Sequence, residues 1–113
     1  MVNGAQITRL KKREDFLRLR KCRPVHKSSF VLQYLPSQHK SNCALGFTVT
    51  KRLGNAVVRN RIKRRLRAAS DEIFPKHAVC GYDYVLIGKP NAARQSFDAL
   101  KQDMILALDR AHL

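Results

Sequence analysis

The segment from Lys51 to Ser70, KRLGNAVVRNRIKRRLRAAS, contains eight basic residues and no acidic one. A stretch so charged folds as a helix only if one face is neutral and buried, and the pattern supplies that face. Val58, Ile62, Leu66, Ala69 and Ile73 recur at three- and four-residue spacing and form a core-facing stripe. Gly54 and Asn55 make a turn ahead of it, with Asn55 as N-cap, and Pro75 is expected to stop it, so the spacing predicts a helix from Ala56 to Phe74. The rest of the circumference is basic. Arg59, Lys63 and Arg67 form one row, Arg61 and Arg65 a second on the other flank, and Asn60 and Arg64 point most directly outward. Like charges four residues apart repel by a few tenths of a kcal/mol per pair, so an ordinary solvated face of mixed charge does not account for them. Arginine predominates over lysine, which favours bidentate recognition of phosphate.

The whole chain extends the argument, since 23 Lys and Arg against 8 Asp and Glu leave +15 on 113 residues. That self-repulsion calls for a polyanion, nucleic acid before an anionic membrane surface. The length fits one domain spanning residues 1–113, and 44% hydrophobic residues suffice for a core. MVNGAQITRLKK has no apolar run followed by a small-residue cleavage site, and no segment approaches 18 uninterrupted apolar residues, so a cytoplasmic protein without membrane association is expected. Cys22, Cys43 and Cys80 are odd in number and widely spaced, as reduced thiols are. His77 and Cys80 lack a second pair at ligand spacing, so no metal site is expected.

Elsewhere, Leu10 to Lys21 reads as a short helix with Glu14 and Asp15 near its start, Phe16 and Leu19 on one face, and Pro24 closing it. Ser29 to Leu35 and Ala44 to Thr50 read as strands that pair antiparallel across the polar stretch PSQHKSN. In the second, Leu45, Phe47 and Val49 alternate with Gly46, Thr48 and Thr50, leaving one face small and polar. Tyr82 to Ile87, apolar except for Asp83, suggests a strand buried on both faces and parallel to a neighbour. Ser96 caps a last helix in which Phe97, Leu100, Met104, Leu108 and Ala111 recur at helical spacing.

The run KRLGNAVVRNRIKRRLR, Lys51 to Arg67, resembles the arginine-asparagine-arginine signature of the bacterial ribonuclease P protein family. LKKREDF, HKSSFVL, LGFTVTKR and DYVLIGKP extend the resemblance over most of the chain. It implies a single α+β domain in the order αβββαβα, with a four-stranded sheet, a short extra strand near Cys22 to Lys27 and a left-handed βαβ crossover, a minority handedness. That fold is similar to a ribosomal-protein domain. The implied function is that of a protein subunit of a ribonucleoprotein endoribonuclease, in which an RNA subunit uses Mg2+ to remove the 5′ leader of precursor tRNA. The protein would then carry no catalytic residue and no tightly bound metal, and need no obligate protein partner.

Carried over by position, the resemblance assigns Arg59, Asn60, Arg61, Lys63, Arg64, Arg65 and Arg67 to docking on the catalytic RNA. It assigns Phe16, Thr48, Thr50, Lys51, Arg52 and Lys89 to a cleft for the single-stranded leader of the precursor tRNA. A polar strand face flanked by an aromatic and several cations is what a sequence-tolerant groove requires, although the pattern leaves Phe16 open between stacking platform and core. The chain departs from the family where Leu19 and Arg20 replace a second aromatic and Gln33 stands near a usual tyrosine. Less base stacking follows, with the Arg20 guanidinium as a substitute.

A small basic ribosomal protein is the alternative that size, charge and fold permit, and the signature argues against it. A protein-only nuclease would need clustered carboxylates to hold metal ions, whereas Glu14-Asp15 and Asp71-Glu72 each lie near a helix end. A helix-turn-helix reader would need a helix pair with a short turn, and none is evident.

Overall fold

The computed structural model describes residues 7–38 and 43–113. In chain order the elements are β1 (Ile7–Arg9), α1 (Arg13–Leu19), β2 (Val25–His26), β3 (Phe30–Pro36), β4 (Cys43–Thr48), a 3₁₀ turn (Lys51–Leu53), α2 (Ala56–His77), β5 (Tyr82–Gly88), a second 3₁₀ turn (Pro90–Ala93) and α3 (Phe97–Ala111). The strands form one sheet in the order β1-β4-β5-β3-β2. Residues 1–6 and 39–42, and with them half of the N-terminal stretch read for a leader and the tip of PSQHKSN, lie outside the described residues.

β5 takes the centre and is the strand most fully buried on both faces. Tyr84 and Leu86 belong to the large core beneath α2 and α3, and Val85 to a smaller cluster beneath α1. This placement corrects the expected hairpin. β3 and β4 do not pair with each other; β5 lies between them, antiparallel to β3 (Leu32↔Leu86) and parallel to β4 (Phe47↔Leu86). A strand buried on both faces sits best at the middle of the sheet, where helices cover both sides. β3 and β4 take the flanking places, with the short β2 and β1 outside them.

Three other expectations shift. The sheet has five strands rather than four, since Ile7–Arg9 adds to the outer edge of β4 in parallel. Leu10, read as the start of the first helix, instead continues that pairing, with its N–H on the Leu45 carbonyl at 3.1 Å, so α1 is shorter than expected. α2 passes through Pro75 to His77. Proline removes only the hydrogen bond to the Asp71 carbonyl, at an exposed position where water can replace it, and the Ala78 N–H still closes on the Phe74 carbonyl at 3.0 Å.

α1 is tied to the sheet by charge. Asp83 is buried at 5% exposure on the α1 face of β5, and Arg18 reaches its carboxylate at 2.6 Å while a second nitrogen donates to the Pro36 carbonyl at 3.1 Å. A buried carboxylate is tolerable only with such a partner. On the opposite face Tyr84 is fully buried against the edge of Phe74, ring centroids 5.3 Å apart. Its hydroxyl accepts the Val79 N–H at 2.9 Å and lies within hydrogen-bond distance, 2.6 Å, of Nε2 of His112. That contact fastens the end of α3 to the centre of the sheet.

Burial lowers the pKa of His112 below its ordinary 6.5. The unfolded chain therefore takes up a proton that the folded chain refuses, and stability present above pH 6.5 is lost as pH falls below that value. Denaturant unfolding at pH 7.5 and 5.5 should show a smaller acid loss in His112→Asn than in the parent chain. An equal loss in both would remove His112 from the account.

Candidate nucleic-acid interface

α2 starts where the sequence predicts. Gly54 adopts φ 136, which a side chain would disfavour, and the Asn55 side chain accepts the Val58 N–H at 3.0 Å. Ile62, Leu66, Ala69 and Ile73 are buried and Val58 is half-buried, so the stripe faces the sheet. Asn60, Lys63 and Arg64 are exposed, as the helical wheel requires.

The second row is less free than the wheel suggests. Arg61 Nε donates to the Ala93 carbonyl at 3.0 Å, Arg65 Nε donates to the Ala92 carbonyl at 2.8 Å, and a further Arg65 nitrogen donates to the Gln95 carbonyl. Of the three sides expected to meet phosphate, this one also holds the 3₁₀ turn after β5. Long-range pairing of this kind leaves no local signal in the sequence. Each guanidinium has five N–H donors, so both arginines keep donors for a second partner. In the first row Arg59 Nε donates to the Gly54 carbonyl at 3.2 Å, and the Arg67 guanidinium lies 5.7 Å from the centre of the Phe47 ring.

The cleft residues gather on the α1 face and at the C-terminal ends of β4 and β5. Phe16 is half-buried, packed with Leu10, Leu19 and Val85. Its ring covers Gly46 so closely that a Cβ there would lie 2.6 Å from Cζ. One side of Phe16 thus anchors α1, and the remainder of the ring borders a groove. Thr48 follows on the same face, opposite Ile87, and Thr50, Lys51 and Arg52 continue outward, all exposed. Lys89, two residues beyond Ile87, is more constrained, because its ammonium donates to the Lys27 carbonyl at 2.6 Å. Gln33 pairs with Val85 and so faces the cleft, while Tyr34 faces the other side beside His112. Leu19 is fully buried and Arg20 exposed. Among the described residues no group of three His, Cys, Asp or Glu side chains can hold a metal ion, and no helix is long and apolar enough to cross a membrane.

An arginine helix joined by a short cationic turn to a groove with one aromatic and small polar side chains defines an RNA-binding α+β domain. The model of the family Ribonuclease P matches residues 5–112. The ribonuclease P protein component of Paramagnetospirillum magneticum is 41% identical over 112 residues, covering 95% of this chain and 84% of the relative. That of Gluconacetobacter diazotrophicus is 42% identical over 104 residues, covering 91% and 90%. The structure of the Staphylococcus aureus RNase P protein superposes with a TM-score of 0.75 at 30% identity, covering 91% of this chain and 94% of that one. The Thermotoga maritima protein, at 24% identity and a TM-score of 0.76, shares the fold. The chain belongs to the ribonuclease P protein family. Its function is that of a protein subunit of this tRNA-processing endoribonuclease, which implies a partner RNA subunit, and the ribosomal alternative has no support.

Two outcomes follow from the geometry. Arg65→Ala should lower folding stability by about 1–2 kcal/mol, because the carbonyls of Ala92 and Gln95 lose a charged donor, whereas Arg64→Ala should leave stability unchanged in the same denaturant titration. Gly46→Ala should displace the Phe16 ring, so its effect on RNA binding should match that of Phe16→Ala. A Gly46→Ala chain that binds RNA like the parent would show that the ring does not border the bound strand.

Proposed function

We propose that the chain serves ribonuclease P by holding two RNAs on adjoining surfaces. The outer face of α2, with Arg59, Asn60, Arg61, Lys63, Arg64, Arg65 and Arg67, docks on the catalytic RNA subunit. The cleft of Phe16, Thr48, Thr50, Lys51, Arg52 and Lys89 receives the single-stranded 5′ leader of precursor tRNA. The observation that carries this reading is the half-exposed Phe16 ring over Gly46, on a sheet face that leads through Thr48 to two exposed cations. A ring for a base and cations for phosphates suit a strand of any sequence.

The RNA subunit performs the hydrolysis with Mg2+, and the protein contributes binding. The described residues offer no carboxylate cluster to hold such ions. The reaction takes place in the cytoplasm and requires no further protein. Because substrate and product differ in the leader, contact with it strengthens precursor binding relative to mature tRNA and favours release of product.

Purified protein alone should not cleave precursor tRNA, and cleavage should appear on adding the RNA subunit and Mg2+. With both present, the affinity advantage of precursor over mature tRNA should fall as salt rises, with a logarithmic slope near −0.7 per single-strand phosphate contact. It should also shrink in Phe16→Ala. An advantage independent of salt and of leader length would place recognition elsewhere.

A further inference from the structure

Arg9 and Lys11 are exposed cations that belong to neither surface described so far. They stand where the edge of the sheet opens. β1 pairs with β4 only from Cys43 to Leu45. After the Leu10 N–H has bonded the Leu45 carbonyl the chain turns into α1, so among the described residues the edge of β4 from Gly46 onward has no strand partner.

A groove of about 260 Å³ lies at this opening, lined by Arg9, Lys11, Phe16, Phe47, Lys63 and Arg67 along with the backbone of Gly46. Its walls come from both sides of the sheet. Phe16 packs with the α1 cluster, whereas Phe47 packs with the large core beneath α2. The groove therefore crosses the sheet edge and connects the cleft beside Phe16 with the first basic row of α2. Four cations and no carboxylate line it, and Arg67 is held over the Phe47 ring at 5.7 Å, which fixes its charge at the wall. Such one-sided charge beside two rings suits an unpaired polynucleotide. A duplex is too wide and too stiff to follow a groove folded over a sheet edge.

We infer that this groove is a second subsite for single-stranded RNA, through which the leader passes from Phe16 over the edge of β4 to Lys63 and Arg67, with Arg9 and Lys11 binding its phosphates. The inference rests on the reading that the leader occupies the cleft beside Phe16. Lys63 and Arg67 also line the depression on the outer face of α2 with Asn60 and Arg64, so the leader and the RNA subunit meet at these two side chains.

The test uses the holoenzyme reconstituted with Arg9→Ala/Lys11→Ala, both positions being exposed. Precursor and mature tRNA affinities are measured across a salt series at fixed Mg2+. Precursor binding should weaken several-fold, and its logarithmic salt slope should flatten by about 1.4, the value for two single-strand contacts. Mature tRNA affinity and holoenzyme assembly should match the parent. A photo-crosslinker on Lys11→Cys, in a chain with Cys22→Ser and Cys80→Ser, should mark leader nucleotides displaced along the strand from those marked from Thr48→Cys in the same background.

Unchanged precursor binding in the double variant, or an equal loss for mature tRNA, would overturn the subsite. Crosslinks from Lys11→Cys that fall only on the RNA subunit would do the same. Phe16→Ala/Lys51→Ala separates the two readings. If this cleft variant loses the precursor's advantage while the double variant keeps it, only the second subsite fails. If neither loses it, the leader-cleft reading fails as well.

Discussion

The seating of α2 on the sheet is the contact from which the rest of the molecule follows. Ile62 and Leu66 are fully buried, and they meet β5 at Gly88, where a Cβ would lie 2.8 Å from Ile62 Cγ2 and 3.4 Å from Leu66 Cδ1. The missing side chain lets the helix approach closely. Burying each large aliphatic side chain contributes roughly 1.5–3 kcal/mol, against a few tenths of a kcal/mol of repulsion per like-charged pair. The stripe therefore outweighs the charge, and the remaining circumference can be arginine and lysine without unwinding the helix. The same approach brings Arg61 and Arg65 onto the carbonyls after β5, so the basic face helps to fix its own support.

The opposite face of the sheet depends on a single carboxylate. Asp83 interrupts the apolar run of β5, and its burial forces Arg18 to lie along the sheet toward it. This sets the orientation of α1. Phe16, two residues earlier on that helix, comes to rest over Gly46, the one glycine of β4, where a Cβ would meet its ring. A buried ion pair adds little net stability, yet here it decides where the aromatic wall of the cleft stands. Position, more than energy, is its contribution to function.

Much of this was legible in the sequence because the signals were local. The α2 stripe, the Asn55 and Ser96 caps and the two apolar faces of β5 each occupy one continuous segment, and each appears as read. What escaped depends on distant partners. The neighbours of β3 and β4 are set by competition for β5, which no window on either strand contains. β1 is three residues long with two of them exposed, too short for periodicity. Arg18 and Asp83 are 65 positions apart, and Arg65 and its carbonyl at Ala92 are 27 apart. The basic rows of α2 were legible in their own spacing, and the cleft residues were reached through the resemblance. The cations of the sheet edge, Arg9 and Lys11, fit no pattern and emerged only from the way β1 ends.

The distribution of the few acids explains how a chain of net charge +15 stays folded and still offers its charge to a partner. Several are spent on internal ties. Asp83 holds Arg18, Glu72 and Asp98 hold Lys101, and Asp103 accepts from Ser29 and Gln95 where α3 meets the start of β3. Among the described residues no carboxylate forms an ion pair with any cation from Arg59 to Arg67, or with Lys51, Arg52, Arg9 or Lys11. Among the described residues no carboxylate neutralises those cations, so repulsion among them persists until an anion arrives. RNA phosphates release condensed counterions as they take up that charge, and binding thereby relieves a repulsion present in the free fold. The domain has its electrostatic complement in the RNA with which it assembles.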